Sequence, residues 1–193
     1  MRLLLLFFAM ICLSACQTTG TPKKFIPQLE NAHTYQLSKV NFDIEEDMIE
    51  WETYANELAA ATDKADYRQR RLTAPLEAAL RKKIGEVLIG QIPLNLNVKV
   101  KAFRIISGKN NITSGALNFI TADIKFTNPA TNEVVAKVTD FKIGHRVQKG
   151  LFNKQVGAIH RKHTATSIEQ LRFDGTIDFF SRAVRDWLFL VKR

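Results

Sequence analysis

An alternating segment near the middle of the chain constrains the fold more than any other feature. Its apolar residues occupy every second position: Leu94, Leu96, Val98, Val100 and Ala102. A period of two residues predicts a β-strand with one buried and one solvated face. Residues 103–106 then break the phase, as a β-bulge does. The strand must therefore belong to a sheet that buries one of its faces.

Two further strands follow this segment. The loop 107–115 is rich in Gly, Asn and Ser, and residues 128–132 read Asn-Pro-Ala-Thr-Asn, so both predict turns. Residues 117–126 form the next strand, with a second phase slip, and residues 134–143 form the last one. Because short loops join strands that run in opposite directions, these three strands are predicted to form an antiparallel meander.

Helical periodicity occurs in two segments. The first begins at Thr73, a plausible N-cap, has Pro75 in its first turn and ends before Pro93. The second covers 168–191, with Gly175 as a weak point near its middle. The apolar residues at steps of three and four are Leu76, Leu80, Ile84, Val87 and Leu88 in the first, and Ile168, Leu171, Ile177, Phe180, Val184, Trp187, Leu188 and Val191 in the second. The stretch 45–62 is either a helix or a covering loop.

These elements predict an α+β domain. A first strand, indicated by Val40, Phe42 and Ile44, joins the meander in a small antiparallel sheet. Two helices, the second of them C-terminal, cover one face, because both apolar surfaces are then buried. Residues 35–193 are predicted to form this single domain, a length sufficient for a proper core.

The N-terminus has the layout of a secretory signal. Arg2 precedes an apolar run over residues 3–13, and small residues follow it. The run is too short for a membrane span, which needs about 20 residues. The alternatives are a signal peptide cleaved by the general peptidase and a short buried helix.

The tetrapeptide Leu13-Ser14-Ala15-Cys16 resembles the lipobox of bacterial lipoproteins. The resemblance implies that residues 1–15 are removed and that Cys16 carries diacylglycerol on its sulfur and an N-acyl chain. Residues 16–34 are then the lipid anchor and a flexible tether with an end-to-end distance on the order of 25 Å. Gln17, which stands where Asp would retain the protein at the inner membrane, implies an outer-membrane, periplasm-facing location, with inner-membrane retention as the alternative.

Cysteine usage removes thiol chemistry from the rest of the chain. The other cysteine, Cys12, leaves with the signal peptide, so the mature chain has neither a free thiol nor a disulfide. Its stability must come from a packed core.

The charge balance is basic. Removal of residues 1–15 leaves 27 Lys and Arg against 19 Asp and Glu, and the isoelectric point of the chain is near 9.7. Because the chain is predicted to be secreted, no nucleic acid is expected as a partner. Anionic lipid head groups, lipopolysaccharide or an acidic protein fit the envelope better. A charge that serves only solubility is the alternative.

The segment 142–167 concentrates this charge. It contains no acid, and apolar residues are interleaved with its cations. It is either a loop that docks on an anionic partner or a connection whose apolar residues pack on the sheet. The candidate binding residues are Lys142, Arg146, Lys149, Lys154, Arg161 and Lys162.

Catalytic and metal-binding motifs are missing from the sequence. There is no phosphate-binding glycine loop and no Gly-x-Ser-x-Gly elbow. His160 and His163, with His145 nearby, are a weak candidate metal pair, because no carboxylate lies between Asp140 and Glu169. We therefore predict no metal, no cofactor and no enzyme activity.

Two groups of acidic residues are candidate acid–base pairs for catalysis. The acids within 45–50 are interpreted as a solvated face. Asp174 and Asp178 are interpreted as charges in the first turn of a helix.

The body of the chain resembles several families of small envelope lipoproteins without an assigned function. The resemblance rests on the order of elements and on the hairpin at 128–133 before Val134 and Val135. In those families a turn of this kind joins two central strands, and most known members are not enzymes. This chain departs from them in having Asn132 where Gly is commoner, and in the basic segment 142–167.

These observations lead to one functional hypothesis and two alternatives. The hypothesis is a lipid-anchored, non-catalytic envelope lipoprotein that binds a protein or an anionic envelope component. The alternatives are an auxiliary lipoprotein of a lipid or solute transport system, and a hydrolase without a recognisable motif.

Overall fold

The computed structural model describes residue 29 and residues 31–107, 117–145 and 165–189. The strands are β1 (Tyr35–Ile44), β2 (Ile49–Glu50), β3 (Ile92–Arg104), β4 (Asn118–Thr127) and β5 (Val134–His145). The helices are α1 (Glu52–Ala60), α2 (Lys64–Arg68), α3 (Ala74–Gly85) and α4 (Ala165–Phe189). Within these ranges no helix combines the length and the apolarity that a membrane span requires.

The α+β class is confirmed, but the sheet is mixed instead of wholly antiparallel. Its order is β1-β3-β4-β5, and β3, β4 and β5 form the predicted antiparallel meander. β1 pairs with β3 in parallel, and β2 pairs in parallel with the end of β3. Parallel neighbours need a long crossover, and the segment between β1 and β3, which contains α1, α2 and α3, provides it.

Helices α3 and α4 cover one face of the sheet, as predicted. The predicted stripe of α3 is buried at Leu76, Leu80 and Ile84. On α4 one predicted core residue is wrong: Leu171 is 45% exposed, whereas Phe173 is buried. The strands contribute alternate residues to the same core, among them Leu94, Leu96, Val98, Ile120, Ala122, Ile124 and Phe126.

The first helical segment begins earlier than the sequence indicated. Thr73 has helical backbone angles and makes no side-chain cap, so its prediction as N-cap is wrong. The helix begins after Asp63, whose carboxylate accepts a hydrogen bond from the amide of Asp66 (2.9 Å). A π-helical turn at Gln69–Thr73 joins α2 to α3 just before Pro75. Because proline has no amide hydrogen, regular hydrogen bonding is interrupted there in any case.

Two β-bulges lie side by side on the sheet. β3 contains a bulge, but it lies at Lys101, between Val100 and Ala102, which face consecutive residues of β4, and so precedes the predicted position at 103–106. The phase slip predicted in β4 is wrong, because that strand alternates regularly between buried and partly exposed residues. The second slip belongs to β5, between Val138 and Phe141, where Asp140 has a φ of 53°. Asp tolerates this left-handed conformation better than most residues.

The hairpin between β4 and β5 follows the prediction. The amide of Asn132 donates to the carbonyl of Asn128 (2.8 Å), and the side chain of Asn128 accepts from the amide of Ala130 (2.9 Å). Asn132 has a φ of 57°, a left-handed conformation that glycine and asparagine adopt more readily than other residues.

The packed part of the chain includes residues that the sequence assigned to the tether. Leu29 and Ala32 are buried in the core, and Ala32–Thr34 form a 3-10 turn before β1. Buried core residues therefore precede residue 35, where the domain was predicted to begin.

Candidate functional site at the ends of the sheet

The two ends of the sheet differ in what the chain does there. We call the end where β1 and β3 begin the proximal end, because the residues that follow the predicted anchor lead into it; Tyr35 there pairs with Ile92. We call the other the distal end, where β3 ends, β4 begins and β5 finishes at His145. Helix α4 also begins there, since Arg172 donates a hydrogen bond to the carbonyl of Ile106 just beyond β3.

Lys142 is the one predicted binding residue in the described part of the chain. It lies exposed near the distal end of β5, an edge strand, in register with Thr121. Its ammonium lies 4.4 Å from the ring centroid of Phe119 on the neighbouring strand. A cation–π contact of this kind at an exposed site contributes about 0.5–1 kcal/mol and leaves the charge accessible.

The other predicted site residues lie outside the described residues. They are Cys16, Arg146, Lys149, Lys154, Arg161 and Lys162. Both the lipid attachment and the basic binding segment therefore remain predictions.

The face of the sheet opposite the helices carries charges that are balanced on β3. Lys99 forms ion pairs with Glu45 (3.0 Å) and Asp43 (3.9 Å). Arg104 forms one with Glu50 (3.1 Å). Each of these cations is thus neutralised by an acid on or beside β1 or β2.

The bulges bring three charged groups together on this face. Lys101 lies 2.9 Å from both Asp123 and Asp140, one on each of the next two strands. Burial alone would raise the pKa of Asp123, but the hydrogen bond from the amide of Asp140 and the ammonium of Lys101 lower it. The same two acids raise the pKa of Lys101. This cluster connects three strands and leaves no net excess of positive charge.

Cations on β4 and β5 lack such partners. Lys125 and Lys137 are exposed and stand opposite each other in the β4–β5 register. Among the described residues neither these two nor Lys142 has a carboxylate within ion-pair distance. Like charges directly opposite each other repel, so this edge of the sheet is electrostatically suited to an anion.

A buried polar cluster, which the sequence did not reveal, holds the distal end together. Glu169, near the start of α4, is buried and accepts hydrogen bonds from the indole of Trp51 (3.2 Å) and from the hydroxyl of Thr53. Trp51 is stacked on Phe173 with a centroid separation of 4.9 Å. The first turns of α4 are thus fixed to the start of α1.

Two arginines complete this cluster. The guanidinium of Arg71 lies 4.7 Å from the ring centroid of Trp51, and the same side chain donates to Gln170. Arg172 is buried and donates to the carbonyl of Ile106, whose amide donates to Asn118 (2.9 Å). Burial lowers the pKa of Arg172, and Glu169 opposes this shift. The cluster thereby fixes the places where the segments 108–116 and 146–164 leave and rejoin the domain.

A signal for this cluster existed in the sequence. Glu169, Arg172 and Thr176 occupy positions at helical spacing beside the apolar stripe of α4, and all three are buried. Polar residues at inward positions of a helix indicate buried partners. The partners are Trp51 and Thr53, at the start of α1, and Ile106, just beyond β3, and their proximity is decided by the tertiary fold.

Two tyrosines border the cluster. Burial, together with a hydrogen bond to Glu46, raises the pKa of Tyr54 to about 12. Burial and a hydrogen bond to Glu57 (2.5 Å) raise the pKa of Tyr67 to about 12 as well. Both phenols are therefore neutral at physiological pH and act as hydrogen-bond donors.

The acidic residues considered as acid–base pairs have surface partners. Glu46 forms an ion pair with Arg68 (2.9 Å), in addition to the pairs of Glu45 and Glu50. Asp178 forms ion pairs with Lys83 (3.6 Å) and Arg182 (2.8 Å). The interpretation of Asp174 and Asp178 as first-turn charges is wrong, because α4 begins at Ala165.

A metal site at the histidines remains untested. The described ranges contain no group of three or more His, Cys, Asp or Glu residues that could hold a metal ion. His160 and His163 lie outside those ranges.

Comparison with known proteins gave structural similarities only. No protein-family model matches the chain, and no curated protein matches it significantly. A DUF330 protein of Xanthomonas campestris shares 13% identity at a TM-score of 0.45, with 89% of this chain and 91% of that chain covered. The PelC dodecamer of Paraburkholderia phytofirmans shares 10% identity at a TM-score of 0.37, with 84% and 93% covered. A minor lipoprotein of Acinetobacter baumannii shares 11% identity at a TM-score of 0.36, with 78% and 89% covered. Similarity at these scores assigns neither a family nor a function to the chain.

Proposed function

We propose that this chain is a lipid-anchored, non-catalytic lipoprotein of the outer membrane that binds an anionic envelope component or an acidic protein. In this proposal diacylglycerol and an N-acyl chain on Cys16 hold it at the membrane. The residues that bind the partner are Lys142 and the basic residues that follow it, Arg146, Lys149, Lys154, Arg161 and Lys162.

One observation supports this proposal above all others. Lys142 is exposed at the distal end, whereas the chain arrives from Cys16 at the proximal end. Strand β3, which runs between the two ends, has 13 residues and is about 40 Å long. The candidate binding surface therefore faces away from the membrane that would hold the lipid, where a second envelope component is within reach.

Rigidity of the distal end supports the same function. The hydrogen bonds of Glu169 and Arg172 fix the point at which the basic segment rejoins the domain at α4. Since Lys142 belongs to β5, the segment also starts from a hydrogen-bonded strand. A binding segment held at both of its ends loses less conformational entropy when it binds.

Labelling with palmitate tests the anchor. The wild-type chain is expected to incorporate the label and Cys16→Ser to incorporate none. Incorporation by the serine variant would refute the anchor.

A bridging assay tests the binding surface. The lipidated chain is placed in vesicles of zwitterionic lipid, and a second population of phosphatidylglycerol vesicles, or purified lipopolysaccharide, is added. We expect the protein to join the two populations, and to lose this ability when Lys142, Arg146, Lys149, Arg161 and Lys162 become Glu.

The matched control is Lys82→Glu, an exposed lysine on α3. It should bridge as the wild type does. Unchanged bridging by the variant with five substitutions would refute the binding surface for anionic components.

A further inference from the structure

The proximal end exposes apolar side chains at the place where the tether joins the domain. Ile89 is 72% exposed and lies just before β3. Ile92 is 43% exposed and is the first residue of β3, where it pairs with Tyr35 at the start of β1. Val134, at the start of β5, is 49% exposed. Asn95 of β3 pairs with Thr127 of β4, and Thr127 pairs with Val134 of β5. The three exposed apolar residues therefore lie at the same end of the sheet.

The position of Ile89 is fixed by backbone hydrogen bonds. Gly90 donates to the carbonyl of Tyr35 (2.7 Å) and Gln91 donates to the carbonyl of Thr34 (3.0 Å). Ile89 also forms an isolated antiparallel bridge with Gln36. A large apolar side chain is therefore held in solvent, beside the first residues of the domain.

Positive charge accompanies these apolar residues. Lys39, Lys125 and Lys137 are exposed on the half of the open face nearest the proximal end: Lys39 pairs with Asn95, Lys125 pairs with Asn97, and Lys137 pairs with Lys125. In the described ranges none of the three has an ion-pair partner. The turn 128–133 contributes one acid, Glu133. Farther along the same face the cations of β3 are each paired with acids.

The length of the tether agrees with contact between this end and the membrane. Twelve residues, and hence thirteen Cα–Cα steps, separate Cys16 from Leu29, the first buried residue in the described part of the chain. As a flexible coil they have an end-to-end distance of about 20 Å, and fully extended they reach about 45 Å. The coil distance is about half the length of the sheet, so the proximal end stays near the bilayer and the distal end does not.

We propose that the proximal end, defined by Ile89, Ile92 and Val134 with Lys39, Lys125 and Lys137, is a membrane-contacting surface that rests on the anionic bilayer in which Cys16 is anchored. The isoleucines insert among the head groups while the lysines contact lipid phosphates, the arrangement found at interfacial protein surfaces. This inference rests on the lipid anchor of the proposed function. It adds an orientation, with the β-strands pointing away from the membrane and the distal end toward the partner.

A fluorescent probe at Ile89 tests the contact directly. Because Cys16 is lipidated and Cys12 is removed, Ile89→Cys introduces the only free thiol of the mature chain. The lipidated variant also carries the five charge reversals of the bridging assay, so that its distal end does not attach to anionic vesicles. It is labelled with an environment-sensitive dye and placed in vesicles that contain phosphatidylglycerol and a spin-labelled quencher lipid. Met48→Cys is the matched control, since Met48 is apolar and 48% exposed but follows the other end of β1.

We expect the dye at position 89 to be quenched at least about 2-fold more than the dye at position 48. Equal or weaker quenching at position 89 would overturn the proposal. Purified vesicles contain no other protein, so quenching there reports lipid contact and not a protein partner.

Charge reversal provides a second measurement. In Ile89→Cys chains that also carry Lys125→Glu and Lys137→Glu, quenching should fall by about half in anionic vesicles and change little in zwitterionic ones. An equal fall in quenching in anionic and zwitterionic vesicles would refute the role of the lysines. Flotation with the vesicles separates the two hypotheses: a chain that does not float lacks the anchor, whereas one that floats without quenching lacks only the contact.

Discussion

The backbone amide of Gly90 donates a hydrogen bond to the carbonyl oxygen of Tyr35 over 2.7 Å, and this contact fixes the chain between α3 and β3 against the start of β1. A Cβ atom on Gly90 would overlap the carbonyl group of Thr34. The close approach of the two backbones is possible only because residue 90 has no side chain.

Gly90→Ala is therefore expected to lower the free energy of unfolding by about 2 kcal/mol or more, since the backbone has to shift to relieve the overlap. Urea denaturation of the unlipidated mature chain (Cys16→Ser) measures the change. Gly175→Ala is the control: it lies within α4 with open space around a new Cβ, so it should stabilise the protein by about 0.5–1 kcal/mol. A Gly90→Ala protein as stable as the wild type would contradict the close approach.

The buried carboxylate of Glu169 connects α4 to α1. Glu169→Ala leaves the indole of Trp51 and the hydroxyl of Thr53 without this acceptor and removes a negative charge near Arg172. We expect a loss of about 2–3 kcal/mol in the free energy of unfolding, and a change in tryptophan fluorescence because Trp51 loses its partner.

The control for Glu169 is Glu86→Ala. Glu86 is 47% exposed and lies 3.8 Å from Arg185, so its removal should change the free energy of unfolding by less than about 0.5 kcal/mol. Equal effects of the two substitutions would show that the cluster contributes little stability.

Asp123 should make stability depend on pH in the acid range. Its pKa is lower in the folded chain than in the unfolded one, where it is near 3.9. A lowered pKa contributes stability above the unfolded value, and this contribution is lost as the pH falls through the folded value. Asp123→Asn should therefore be less stable than the wild type at neutral pH.

The difference in the free energy of unfolding between wild type and Asp123→Asn should narrow progressively in urea denaturation as the pH falls below the unfolded pKa of about 3.9. In chains that also carry Lys101→Gln, the stability difference between Asp123 and Asp123→Asn should be smaller at neutral pH, because the substitution of Lys101 removes the cation that pairs with Asp123. A difference that persists unchanged in acid would contradict the lowered pKa.

Buried Tyr54 and partly buried Tyr67 should make stability depend on pH in the alkaline range. The pKa values of Tyr54 and Tyr67 are raised to about 12. Their contribution is fully present below the unfolded value of about 10 and is lost as the pH rises through the folded values.

Titration of tyrosinate absorbance checks this directly. Of the three tyrosines in the chain, the two at positions 54 and 67 should remain largely neutral at about pH 11. Tyr54→Phe and Tyr67→Phe should each lose one of the two tyrosinate absorbance steps that occur near pH 12 in the wild type. Full ionisation of all three tyrosines near pH 10 would contradict the buried environment.

Hydrophobic periodicity was sufficient to predict most of the secondary structure. The alternation in 94–102 identified β3, although its bulge lies earlier than predicted, and the three- and four-residue steps identified α3 and α4. Asn128 and Asn132 predicted the hairpin, because turn residues act through their own backbone angles. Each of these signals is local and is therefore present in a single sequence.

Other features depended on contacts between distant residues. Nothing in β1 itself reveals that it pairs in parallel with β3, because the direction of pairing is set by the crossover through the helices. The phase slip predicted in β4 is wrong because the apolar residues Leu117 and Phe119 lie on the face of the sheet opposite the core, and the apolar character of a residue does not by itself show which face it occupies.

The candidate sites divide in the same way. The sequence by itself determined the residue types: Cys16 after a short apolar run, the basic residues from Lys142 onward, and no cysteine after Cys16. Only the tertiary structure decided their arrangement. Parallel pairing of β1 with β3 places the start of β1 beside Ile89, and the antiparallel meander carries Lys142 to the opposite end. Composition and spacing are properties of neighbours along the chain, whereas which end of a sheet a residue reaches depends on strand direction.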